Sequence, residues 1–143
     1  MTSPLATARA TMETQIEAVT PPVDPVTPYR AIEGRKILAG ASGHRMFRFE
    51  PPSAPIVSEF GAALAVYEHQ FEIRMRYRCD DLTFDQRFER PLNEAVLIAS
   101  ALNDFSGWPA GVRLVRCDGY RTEETESADV EIVWPMLAET EET

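Results

Sequence analysis

Residues Val66–Arg78 spell VYEHQFEIRMRYR. Tyr67, His69, Phe71, Ile73, Met75 and Tyr77 fall on one parity, and Glu68, Gln70, Glu72, Arg74, Arg76 and Arg78 on the other. Strict period-two alternation marks a strand with one apolar and one polar face; a helical turn of about 3.6 residues would scatter the apolar set around its axis. The run is about twice the length of an ordinary strand. At roughly 3.3 Å per residue it would reach about 40 Å, so part of it is expected to project as a ribbon that pairs with or packs against something else. Its polar face is graded, with Glu68 and Glu72 at the start and Arg74, Arg76 and Arg78 at the end. Such a face is expected to be solvated or paired across to a neighbouring strand, and its charge discourages indiscriminate edge pairing.

A chain of 143 residues fits one compact domain, burying roughly two-thirds of the surface its unfolded form exposes. The expectation is a single α+β domain over 1–137 and an acidic C-terminal tail over 138–143. No apolar run approaches the roughly 20 residues a membrane span requires, and MTSPLATARATMETQ lacks the basic start and apolar centre of an export signal. A soluble protein that is not exported is the expected class. The net charge of −9 comes almost wholly from Asp118 onward, where Arg121 is the only base. That balance argues against a protein that grips phosphate backbones. The acidic end is expected to be solvated and partly disordered, or else to form a surface that repels passing DNA.

Ser3 and Pro4 read as an N-cap followed by proline in the first turn. Leu5, Ala8, Met12, Ile16 and Val19 then recur at helical spacing, and Pro21, Pro22, Pro25 and Pro28 end the helix near Thr20. A long connection over 21–43 is expected, with a short strand over Arg35–Leu38; a loop of that length is uncommon unless it is functional or reaches a neighbour. Arg45–Glu50 reads as a strand closed by Pro51 and Pro52. Pro91 is placed in the first turn of a second helix whose buried stripe is Leu92, Ala95, Val96, Ala99 and Leu102, ending near Asn103–Gly107. Phe105 and Trp108 would plug one end of the sheet. Val112–Cys117 reads as a strand, Asp118–Gly119 as a turn or a bulge in a longer strand, and Ala128–Met136 as a final strand with Pro135 at an edge or at its end. The expected fold is α+β: a mixed or antiparallel four-stranded sheet with two flanking helices and a long hairpin strand.

Catalytic chemistry needs convergent polar groups, and few present themselves. Asp80, Asp81 and Asp85 could gather a divalent cation, but acids at a strand-to-helix junction more commonly form turns or helix N-terminal charges. His69 on the apolar face reads as a core or interface histidine, and His44 beside Gly43 as a loop residue. Cys79 and Cys117 read as free thiols, with no metal-ligand spacing around them. No catalytic, cofactor or metal residue is assigned, and no enzymatic activity is expected. Trp108, Trp134, Tyr67, Tyr77 and Tyr120 either fill the core or belong to a protein interface, where large aromatics with a polar handle are favoured.

An amphipathic N-terminal helix, a Pro/Gly-containing excursion, a hairpin whose second strand is VYEHQFEIRMRYR, a helix at PLNEAVLIASALND and a strand pair ending in DVEIVWPM together resemble the tail terminator, or tail completion, proteins of long-tailed bacteriophages. The likeness rests on element order, size and strand pattern. It implies a structural virion protein of the tail or neck, assembled in the host cytoplasm. It also implies a homo-oligomeric ring, typically of six subunits, that caps the tail tube protein and meets a head-completion or connector protein. DNA would pass through the lumen without specific binding, and no membrane or cofactor is involved. Tyr67, Phe71, Arg74, Arg76 and Arg78 are the candidate subunit-interface residues, and reversal of the three arginines to Glu is expected to leave the monomer folded but abolish the ring. Two other readings stand beside this one: a head–tail connector or head-closure protein, and a small intracellular ligand-binding or enzymatic α+β domain with His69 and Asp80 or Asp81 lining a pocket.

Overall fold

The computed structural model describes residues 3–32, 43–60, 65–125 and 128–142. Two helices, α1 (Pro4–Glu17) and α2 (Phe84–Asn103), accompany seven strands. The strands are β1 (Arg30–Ala31), β2 (Met46–Phe49), β3 (Ile56–Phe60), β4 (Ala65–Tyr77), β5 (Val112–Cys117), β6 (Arg121–Glu124) and β7 (Val130–Glu142). The α+β class is as expected; the four-strand count is not.

The difference has a simple cause. β2 and β3 both run antiparallel to β4 and follow one another along it, interrupted by Pro51, Pro52 and Pro55. Across that gap Glu50 N–H still donates to the Glu72 carbonyl at 2.8 Å and Ser53 N–H to the Gln70 carbonyl at 3.0 Å. β5 and β6 follow one another along β7 in the same way, broken at Asp118–Tyr120, where Gly119 adopts a φ of 100° that suits glycine. Long lanes in the order β2/β3, β4, β7, β5/β6 therefore make up the sheet, with β1 pairing parallel to β2 at one edge. Proline and glycine cut two of the lanes into pieces.

Two expectations fail together. Every residue of β4 from Ala65 to Tyr77 has a partner on β7, so the strand does not project as a ribbon within this chain. Its partner is equally long because β7 runs on to Glu142, and residues 138–142, expected as an acidic tail, are a central strand. Ala138 and Thr140 are buried on the helix-covered face while Glu139 and Glu141 point to the other. Pro135 is tolerated mid-strand for a local reason. Its carbonyl accepts from Asp118 N–H at 2.8 Å, so its nitrogen faces the same way, toward the break between β5 and β6, and no bond to β4 is lost.

Helix α1 starts as expected: the Ser3 hydroxyl accepts from Ala6 N–H at 3.2 Å, and Pro4 follows. Helix α2 starts earlier than expected. Thr83 and Gln86 form a reciprocal capping box, so Phe84–Arg90 is helical and Pro91 lies inside, where it removes the bond to the Arg87 carbonyl. The buried stripe is Pro91, Glu94, Ala95, Ile98, Ala99 and Leu102; Val96 is exposed. Both helices lie on one face of the sheet. Ala8, Met12 and Ile16 of α1 join Ile98 and Leu102 of α2 over Phe47, Ile73, Met75, Ile132 and Trp134. Trp134 is a core residue whose indole N–H donates to the Ala95 carbonyl at 3.0 Å. Phe105 and Trp108 stack edge-on at 4.8 Å, and Trp108 packs against the core. The expected strand at Arg35–Leu38 lies outside the described residues.

Candidate subunit interface

The polar face of β4 lies on the side of the sheet that bears no helix. Arg74 is its hub. Its guanidinium donates to Glu123 at 2.6 Å, Glu131 at 3.1 Å and Glu72 at 3.0 Å, and lies 3.4 Å from Glu50. Arg121 closes a second ring by donating to Glu72 at 2.8 Å and Glu123 at 3.1 Å. Register explains why these ions gather. Arg48 stands directly opposite Arg74 and Glu123 opposite Glu131, pairs that would repel. Glu50 sits between the two arginines, and Arg74 bridges the two glutamates. Hydrogen bonds from Arg121 and Arg74 hold the Glu72 carboxyl below its usual range, and Arg74 and Arg121 do the same for Glu123. Burial alone would lower the Arg74 guanidinium, and its bonds to Glu123, Glu131 and Glu72 more than offset that. Arg76 completes the ladder, 3.3 Å from Asp129.

The five sequence-predicted interface residues do not form one patch. Arg74 and Arg76 lie on the bare face and are held by this chain's own carboxylates. Tyr67 and Phe71 project to the opposite face: Tyr67 is half-buried beside His69, and Phe71 lies 6.5 Å from Phe49 in a groove of 190 Å³ that Leu5, Arg9 and Pro52 also line. Arg78 follows the end of β4 and bonds Asp80. That pairing occupies one of the three acids considered as cation ligands, and among the described residues no group of three His, Cys, Asp or Glu side chains gathers to hold a metal.

A second polar cluster escaped the sequence reading. Arg45, with a positive φ of 61°, is 1% exposed, and so is Glu94 on the inward face of α2. All five donors of the guanidinium are used. Nε reaches Glu94 Oε1 at 2.8 Å, and one Nη reaches Glu94 Oε2 at 2.9 Å and the Val23 carbonyl at 2.6 Å. The other Nη reaches the carbonyls of Asp24 at 2.6 Å and Thr27 at 2.9 Å. The Tyr29 hydroxyl donates to Glu94 at 2.6 Å, and the Tyr77 hydroxyl donates to its other oxygen. Burial and the Glu94 charge push both phenols far above their ordinary value. The Pro-rich connection is thereby strapped to the helix and to β4. Its sequence signal was present but faint: a Glu in an apolar stripe, and a Tyr at the apolar end of the long strand.

Both histidines are shifted toward the neutral form. Burial lowers His69, whose Nε2 lies 2.9 Å from the Thr140 hydroxyl. Burial and then the Arg45 charge lower His44, whose Nδ1 accepts from Arg78 N–H at 3.0 Å. Cys79 and Cys117 are free, and burial pushes both thiols up to about 11. The outer edge of β5 is partly closed: the Asn103 amide donates to the Cys117 carbonyl at 3.2 Å and accepts from Cys117 N–H at 2.8 Å, as a neighbouring strand would.

The surface carries several exposed apolar side chains. Phe84 and Phe88 are 88% and 71% exposed, one turn apart on α2, and Ile56 and Val57 are exposed on β3. The arrangement is an α+β fold with one helix-covered and one ion-paired sheet face. No protein-family model matches the chain, and no curated protein matches its sequence.

Proposed function

We propose that this protein is a structural subunit of a long-tailed bacteriophage particle, a tail terminator that forms a ring on the end of the tail tube and offers its other side to the head-completion proteins. The observation that carries the reading is the element order: helix, hairpin lane, long strand, helix, then a second interrupted lane and long strand, in one sheet. The exposed Phe84 and Phe88, one turn apart on α2, and the adjacent pair Ile56 and Val57 on β3 support it, because contiguous exposed apolar side chains mark interaction surfaces. The ion ladder around Arg74 gives a stiff sheet with both signs of charge interleaved, a suitable wall for a channel that DNA must cross without sticking. A head-to-tail ring requires two different surfaces on each subunit, and the exposed aromatics of α2 and the exposed Ile56 and Val57 of β3 lie on separate elements.

The test is capping. Purified protein is mixed with tail tubes that lack their terminator and imaged by negative stain, with light scattering of the protein alone. Ring-shaped density at one end of each tube is the expected result. Protein that ignores tubes but binds isolated connectors would move it to the head side of the joint, and protein that binds neither would overturn the assembly reading.

A further inference from the structure

Among the described residues Arg90 is an arginine whose side chain makes no hydrogen bond, ion pair or ring contact. It is half-buried, in the wall of a groove of 390 Å³ between α2 and the Pro-rich connection. Pro22, Val23, Val96 and Leu97 give that groove apolar walls, Asn93 adds an exposed amide one turn along from Arg90, and Glu94, already bonded to Arg45, also lines it. A half-buried guanidinium is partly stripped of water without a carboxylate to compensate it, and its planar fork suits one. The groove is built for an apolar group with an acid beside it.

The same helix carries such a feature. Phe84 and Phe88 continue the apolar stripe of α2 beyond the end of the core and are left exposed among the described residues. Asp85 and Glu89 flank the two rings and are exposed, with no ion pair of their own among the described residues. We infer that the chain binds a second copy of itself by seating the Phe84–Phe88 knob of one molecule in the Pro22–Leu97 groove of the other, with Asp85 or Glu89 paired to Arg90. Three observations converge on a second copy as the occupant. The knob is apolar and the groove apolar-walled, the knob's unpaired charges are negative and the groove's unpaired charge, Arg90, is positive, and both halves belong to one chain. Used once each per molecule, the two surfaces make a head-to-tail contact; exchanged between two antiparallel α2 helices, they make a twofold one. The contact rests on the ring reading only for the premise that the chain self-associates, and adds where the copies touch.

Sedimentation velocity of the full chain across a concentration series tests it, using wild type, Phe84→Ser/Phe88→Ser, Arg90→Glu, and Arg90→Glu combined with Glu89→Arg and Asp85→Arg. The substituted side chains lie outside the core, and circular dichroism checks that each variant is folded. Wild type is expected to associate. The aromatic variant and Arg90→Glu should each weaken association by about tenfold or more, and the charge-swapped variant should recover most of that loss. A wild type that stays monomeric throughout overturns the contact. So does an oligomer unmoved by the aromatic variant or by Arg90→Glu, and that result leaves the capping reading standing, since tube binding is measured separately. Failure of the swap to restore association overturns the Arg90–carboxylate pairing.

Discussion

Glu94 has a demanding environment, because four donors from three residues converge on a carboxylate that water does not reach. Removing one member of a buried pair leaves the other charge uncompensated, which costs about 3–5 kcal/mol. Glu94→Gln and Arg45→Met should each destabilise by about that amount in urea unfolding, and the Arg45→Met/Glu94→Leu double variant should cost less than the sum. Tyr77→Phe should cost about 1.5–3 kcal/mol, the value of a bond to a charged acceptor. The histidines add a pH term. Both are lowered from 6.5 in the folded protein, so below that value the unfolded chain binds more protons than the folded one. Stability should therefore be full above about 6.5 and fall as pH drops toward the folded values; His69→Gln should flatten part of that fall in a series of thermal melts. This cluster was barely legible beforehand, because a lone Glu in a helix stripe does not reveal a partner 49 residues away.

The elements were more legible than their ends. β4 was readable because its alternation is strict, and α1 because cap, proline and stripe agree. β7 was cut short because Ala138 and Thr140 are too small to register as an apolar face, while three glutamates among its last residues resemble a solvated end. The structure makes the opposite prediction from a tail: deleting residues 138–142 would leave Ala65–His69 of β4 and most of β5 without their partner. Circular dichroism of that truncation should show an unfolded or aggregated protein. The Arg74 ladder changes another expectation. Reversing Arg74, Arg76 and Arg78 to Glu would place new carboxylates among Glu50, Glu72, Glu123, Glu131 and Asp129. The monomer itself should then melt well below wild type, and loss of a ring in that variant would say nothing about the interface. The surfaces of Phe84 and Arg90 are the cleaner probes of assembly.

At the scale of the whole molecule, the class was legible and the lane structure was not, since proline and glycine disguise continuous lanes as separate strands. The pairing that matters most joins β4 to β7, segments far apart in sequence with α2 and an entire lane between them. Such non-local pairing folds slowly, in roughly the millisecond-to-second range. Trp134, on β7 and fully buried, reports that event directly. With Trp108 replaced by Phe, its fluorescence in stopped-flow refolding should change in the slow phase, later than the helical signal at 222 nm.

The position of β7 also bears on how the protein is made. A ribosome delivers the chain from its N-terminus, and the strand that fills the middle of the sheet emerges after every other described element of that sheet. Until then one long side of β4 stands open, with unpaired backbone groups and the apolar row of Phe71, Ile73 and Met75 uncovered by their neighbour. Until β7 emerges, each nascent chain carries a strand-shaped vacancy at the centre of its sheet, and neighbouring copies on one message meet with that vacancy open.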